Sequence, residues 1–299
     1  MIGKFKDFFE PEVASRLGRL NLVARQAVEG FITGLHKSPH LGFAIEFAEH
    51  RPYTPGDEIR RVDWLAYART DRFYVKLHEQ QTNLRCQIIL DASKSMDYAS
   101  GPTTKFQYAR YLAALLSYLM LSQQDAVGLS VFDDVLEHHF NPSAKLGSLQ
   151  RIFDVLDKTT PKSTTALVPV LHELADRLKQ RGMIVLLSDL LDEPENVLRA
   201  LRHFTFKRHQ VIVFHILDPA EIDFPFVKLA KFVDPETGLA VLTDPQQVRG
   251  EYLKALGNFL TTYRRQCADA GIEYIQVNTA QRYDQMLVSY LAARRRTVK

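Results

Sequence analysis

The sequence predicts an α/β protein built on a doubly wound, mostly parallel sheet, preceded by an N-terminal extension with helical and β-containing parts. Three observations carry this. Two wholly apolar runs, Ile88-Ile89-Leu90 and Ile184-Val185-Leu186-Leu187, are too short for buried helices and read as strands covered on both faces. After residue 80, strand and helix patterns alternate to the end of the chain, as in a parallel sheet with helices on both sides. The first run stops at Asp91 and the second at Ser188-Asp189. The loops at the carboxyl ends of strands are where open α/β sheets bind ligands.

The elements follow in order. Residues 1 to about 35 read as helical, with Pro11 near a start and Val13, Leu17, Leu20, Val23, Val28 and Ile32 at roughly helical spacing. A loop over Gly34–His40 follows. Pro55-Gly56 predicts a tight turn amid Asp57, Glu58, Arg60, Arg61 and Asp63, ahead of a strand-like Arg72–Leu77. The main domain is placed at 81–299 and the extension at 1–80. Strand Cys86–Leu90 leads to a helix over Thr104–Ser122, strand Ala126–Phe132 and a short strand Leu136–Phe140 after the acidic turn Asp133-Asp134. Helices over Leu146–Leu156 and Ala166–Lys179 precede strand Met183–Leu187. A helix over Glu195–Phe204 and strand Gln210–Leu217 come next. A hairpin insertion near 226–244 pairs Val227–Val233 with Leu239–Thr243. The long helix Gln246–Ala270 stops at Gly271, strand Ile272–Val277 follows, and a helix over Asp284–Arg294 closes the chain.

Composition narrows the function. Of 299 residues, 46% are hydrophobic and 24% charged, which is ordinary for a globular protein. A net charge of +3, with no basic-aromatic motif around Arg264-Arg265 or Arg294–Arg296, argues against nucleic-acid binding. No apolar run reaches membrane-spanning length, and MIGKFKDFFEPEV lacks the apolar core of a signal peptide, so a cytoplasmic protein is expected. The two cysteines, Cys86 and Cys267, are expected to be buried reduced thiols.

The loop Asp91-x-Ser93-x-Ser95 holds a carboxylate and two hydroxyls, hard oxygen ligands suited to Mg²⁺ or a similar cation. It also reads as a helix start, with Ser95 as cap and Asp91 ending a strand. Thr165, in a Ser/Thr-rich loop, and Asp189 would project from the same sheet edge. Two carboxylates there would repel unless a cation joined them.

This Asp-x-Ser-x-Ser with a later Thr and a later Asp resembles the metal-ion-dependent adhesion site of von Willebrand factor A domains. The resemblance implies that Ser93, Ser95 and Thr165 touch a divalent metal, with Asp91 and Asp189 acting largely through water. The metal would be Mg²⁺, or Mn²⁺ or Ca²⁺. Thr165 is preferred over Thr164 because Thr165-Ala166-Leu167 matches the family's register. Lys94 and Leu190 stand where the family often has glycine. A second signature narrows the resemblance: Glu46-Phe47, then Arg51-x-Tyr53-x-Pro55-Gly56-Asp57-x-x-Arg60-x-x-Asp63-Trp64, then Ala68-Arg69. With Asp91 to Met96, it is similar to the bacterial family called domain of unknown function fifty-eight. That resemblance implies an adaptor or chaperone-like partner of a MoxR-type AAA+ ATPase, or of its client, binding an acidic residue through the metal. Arg51, Tyr53, Asp57, Arg60, Asp63, Trp64 and Arg69 are a candidate second partner surface or a structural clasp.

The alternative is a Mg²⁺-dependent phosphoryl-transfer hydrolase using Asp91. Such enzymes need a second carboxylate two residues on, where this chain has Ser93. No G-x-S-x-G elbow is present, Gly101–Lys105 lacks phosphate-loop spacing, and His172-Glu173 lacks the second histidine of a zinc-protease helix. The ten histidines are scattered, and no catalytic residue is assigned.

Overall fold

The computed structural model describes residues 44–52, 67, 72–81 and 84–290, apart from 163, 165, 236, 284, 285, 288 and 289. The chain divides into two compact units, Ile32–Asn83 and the remainder. In the smaller unit, β1 (Ala44–Pro52) and β2 (Tyr74–Gln81) form an antiparallel pair. The sequence reading has no strand at β1. The register shifts between Phe47 and Glu49. The extra residue of a bulge interrupts the alternation Ile45, Phe47 by which a strand is recognised. The predicted N-terminal helix lies outside the described residues.

The larger unit carries a six-stranded sheet in the order β10-β7-β6-β3-β4-β5. Its strands are β3 (Arg85–Asp91), β4 (Ala126–Phe132), β5 (Leu136–Ser143), β6 (Met183–Ser188), β7 (Gln210–Leu217) and β10 (Glu273–Asn278). All neighbours are parallel except β4 and β5. β5 returns through the tight turn at Asp133-Asp134 as an antiparallel edge strand, a position that tolerates Pro142. A separate antiparallel pair, β8 (Ala230–Val233) and β9 (Ala240–Thr243), forms the predicted hairpin insertion with shorter strands than expected.

The helices are α1 (Lys105–Ser122), α2 (Leu146–Lys158), α3 (Leu167–Arg177), α4 (Pro194–Phe206), the five-residue α5 (Pro219–Asp223) and α6 (Pro245–Asp269). Thr104 starts α1 through a reciprocal cap: its hydroxyl accepts from the Gln107 amide at 3.0 Å, and the Gln107 side chain accepts from the Thr104 amide at 3.2 Å. One face of the sheet, including Ile89, Ile184, Leu186, Val211 and Val213, packs with α3, α4 and α6 in a single apolar cluster. Ile88, Leu90, Val185 and Leu187 alternate to the other face and are equally buried. Burial on both faces is why the central strands lack polar alternation. Cys86 and Cys267 are free, buried thiols, and burial raises the pKa of both. Among the described residues no helix is long and apolar enough to cross a membrane.

Candidate functional site at the sheet switch point

From β3 the chain winds one way, to β4 and β5, and then returns to lay β6 on the opposite side of β3. The crevice between the carboxyl ends of β3 and β6 is therefore the topological switch point, where such sheets bind ligands. The register pairs Leu90 with Leu187, so Asp91 and Ser188 leave the sheet side by side. Ser188 Oγ donates to Asp91 Oδ2 at 2.6 Å, and the Ser93 amide donates to Asp91 Oδ1 at 2.9 Å. The chain then makes a 3-10 turn over Lys94–Asp97, which brings Ser93 Oγ to 3.0 Å from Ser95 Oγ. Both serines are buried. Ser95 is thus no helix cap; Thr104 holds that role for α1. Lys94 points outward and pairs with Asp97 at 2.7 Å on the surface.

Asp189 leaves β6 beside this loop. Its Oδ2 accepts from Lys105 Nζ at 2.8 Å, and the same ammonium donates to Glu221 Oε1 at 2.7 Å. Lys105 is 1% exposed. Burial alone would lower its pKa, but the charges of Asp189 and Glu221 outweigh burial and raise it, so the ammonium stays protonated. Glu221 Oε2 accepts the Asp218 amide at 2.8 Å, and the Asp218 carboxylate accepts the Ser100 amide at 2.9 Å. One polar chain thus ties together the loops after β3, β6 and β7. Burial, and then the charge of Asp189, push the Asp91 pKa up to about 7.

Sequence reasoning missed Lys105, Ser188 and Glu221. A signal for Lys105 existed. It is the first residue of a helix, where the helix dipole disfavours a cation, so a buried lysine there requires anionic partners. Leu190, where related loops often carry glycine, is fully buried and takes a left-handed conformation, φ 53°. That conformation costs a residue with a Cβ about 1–2 kcal/mol.

Thr165 lies outside the described residues. On its flanks, the Lys162 amide donates to Ala92 O of the Asp91–Ser95 loop at 3.4 Å, and the Ala166 amide donates to Asp133 O, in the turn after β4, at 2.9 Å. Arg51 lies in β1, paired with Val75. Tyr53, Asp57, Arg60, Asp63, Trp64 and Arg69 lie outside the described residues. Among the described residues, no three His, Cys, Asp or Glu side chains form a metal-holding group, so a cation would depend on hydroxyls and water as well as carboxylates. The donor set fits a hard cation. Adjacent oxygens around octahedral Mg²⁺ stand about 2.9 Å apart, close to the 3.0 Å between Ser93 Oγ and Ser95 Oγ.

The family described as "Protein of unknown function DUF58" matches residues 49–258. The chain belongs to the DUF58 family. An uncharacterized protein of Mycobacterium tuberculosis (strain ATCC 25618 / H37Rv) is 27% identical to this DUF58 protein over 296 residues, covering 97% of this chain and 92% of the relative. Among solved structures, an aerotolerance-related membrane protein from Bacteroides fragilis NCTC 9343 is similar at 18% identity and a TM-score of 0.45, covering 71% of this chain and 97% of that one. The SpRpn10 VWA domain is similar at 13% identity and a TM-score of 0.35, covering 68% and 94%.

Proposed function

We propose that this DUF58 protein is a cation-dependent protein-binding module. Asp91, Ser93, Ser95, Asp189 and Thr165 would hold Mg²⁺, or Mn²⁺ or Ca²⁺, and an acidic residue of a protein partner would complete the coordination shell. The convergence of Asp91, Ser93, Ser95 and Asp189 at the switch point carries the reading. Two carboxylates and two hydroxyls, all buried, are a donor set for a hard cation, and the carboxyl ends of strands at a switch point are where open α/β sheets take ligands. The partner proposed is a MoxR-type AAA+ ATPase or its client, on the family resemblance, with the module acting in the cytoplasm.

Binding is favoured over Asp91-based phosphoryl transfer on geometry. Both Asp91 oxygens already accept hydrogen bonds, one from the Ser93 amide and one from Ser188 Oγ at the end of β6, and position 93 supplies a hydroxyl where a general acid would stand. Calorimetric titration of the purified protein with Mg²⁺ and Mn²⁺ tests the metal. One equivalent is expected to bind, with loss in Asp91→Ala. The MoxR-type ATPase encoded nearest its gene should then be retained on the immobilised protein and released by chelator. Retention unaffected by chelator and by Asp91→Ala would refute the proposal.

A further inference from the structure

We propose a second metal site, away from the sheet edge, in which His172 of α3 and His203 of α4 bind a transition-metal ion such as Zn²⁺ or Ni²⁺. It does not depend on the reading of the switch-point site. In the sequence His172 lacks a second histidine one turn along its helix; Asp176 stands there. The fold supplies the missing imidazole from the next helix. His172 Nδ1 and His203 Nδ1 face each other at 3.3 Å. At that distance one nitrogen donates to the other in the metal-free protein. It is also the edge of a tetrahedron around Zn²⁺: two nitrogens at 2.0–2.1 Å from the ion stand about 3.3–3.4 Å apart.

A second feature points the same way. The far nitrogen of His203, Nε2, lies 3.5 Å from Asp176 Oδ1. A carboxylate behind the non-ligating nitrogen fixes the tautomer of a metal-binding imidazole and strengthens it as a donor. Asp176 is itself held by Lys207 Nζ at 2.7 Å, which also donates to Ala175 O at 2.7 Å. The helices beneath are fixed: Leu171, Leu174 and Ala175 of α3 share a buried core with Ala200, Leu201 and Phe204 of α4. The two histidines therefore meet without reorganising the backbone.

Both rings are half-buried, so two coordination positions open to water or to an incoming side chain. Imidazole pairs select Zn²⁺, Ni²⁺ and Cu²⁺, whereas Mg²⁺ takes oxygen ligands. The ion would clip α3 to α4, the helices that follow the Thr165 loop and the Asp189 loop. The neighbouring Lys207 ammonium repels a cation, so moderate affinity is expected.

The test is calorimetry of the tag-free full chain with Zn²⁺ and with Ni²⁺, alongside His172→Ala, His203→Ala, Asp176→Asn, and the controls Asp91→Ala and His138→Ala. One equivalent should bind to the wild type and to both controls, unchanged by excess Mg²⁺. Either His172→Ala or His203→Ala should abolish that binding, and Asp176→Asn should weaken it about tenfold. Metal-free melting curves verify folding, and His203→Gln repeats the test if the alanine variant does not fold. Binding that survives both histidine changes, or no binding to the folded wild type, would overturn the site.

Discussion

Replacing Lys105 by methionine keeps the length and apolar stem of the side chain and removes only the ammonium. Lys105 Nζ sits 2.8 Å from Asp189 and 2.7 Å from Glu221, with the lysine and Asp189 side chains 1% and 2% exposed. At an effective dielectric of about 20, each contact is worth about 6 kcal/mol before desolvation is charged against it. Removing one member of a buried ionic cluster leaves its partners buried and uncompensated, which costs about 3–5 kcal/mol. That is a large part of the roughly 5–15 kcal/mol by which a domain is stable. Urea denaturation should therefore show Lys105→Met unfolding at a much lower midpoint with an unchanged slope. Added salt should recover little, because buried charges are weakly screened. Neutralising Asp189 in the same chain, as Lys105→Met with Asp189→Asn, should recover about 1–3 kcal/mol, because the two side chains are in direct contact. A loss below about 1 kcal/mol, or no recovery in the double variant, would refute the claim that Lys105 carries the charge balance of this edge.

Three further outcomes are expected. Leu190→Gly relieves a left-handed backbone worth about 1–2 kcal/mol but deletes a fully buried side chain worth about 2–5 kcal/mol, so thermal unfolding should show a net loss; a gain would show that strain outweighs packing there. Gly128→Ala would press a Cβ against the Gln87 amide, Phe140 O and, at 2.8 Å, Pro142 N, and should cost about 1–3 kcal/mol or more in the same assay. Burial raises the Asp125 carboxyl to about 7 although the Leu84 amide donates to it. The native state therefore keeps a proton that the unfolded chain releases near pH 4. Asp125 should contribute stability fully present below about pH 4 and lost as pH rises through about 7, by up to about 4 kcal/mol. Asp125→Asn should flatten that slope, read from denaturation midpoints across pH 4–8; a slope identical to wild type would refute the assignment.

Apolar runs ending in acid made the sheet and half of the site legible. Strands β3 and β6 could be read because both faces are covered, and their terminal Asp91 and Ser188-Asp189 needed only the parallel topology to be brought together. What escaped was set by single residues and distant partners. β1 escaped because one bulge residue breaks its alternation. α5 escaped because five residues show no helical period, though Asp218 and Glu221 form its reciprocal cap. In the sequence Lys105 only closes a stretch that lacks phosphate-loop spacing; the partners that give it a role lie 84 and 116 residues further along the chain. The His172–His203 contact has the same origin: helices in separate crossovers place two otherwise ordinary histidines together.

The charges at the switch point explain why a buried lysine is compatible with a cation site. Asp91, Asp189, Asp218 and Glu221 bring four carboxyl groups to one edge, and Lys105 supplies one ammonium, shared by Asp189 and Glu221. Among the described residues Asp91 receives neutral donors, from Ser188 Oγ and from Ser93, and these do not offset burial and the charge of Asp189. Asp218 is held by Ser100 and by the Ala220 amide at a helix start, so part of the shortfall of positive charge falls on the side of the crevice where the two serine hydroxyls lie 3.0 Å apart. A divalent ion there would meet oxygen donors on one side and be kept from Glu221 by the ammonium on the other. Lys105 then separates a structural carboxylate from the pair left to bind. On this view, exchanging Lys105 for an apolar residue should lower stability and raise cation affinity together, a combination that the loss of a merely structural ion pair would not produce.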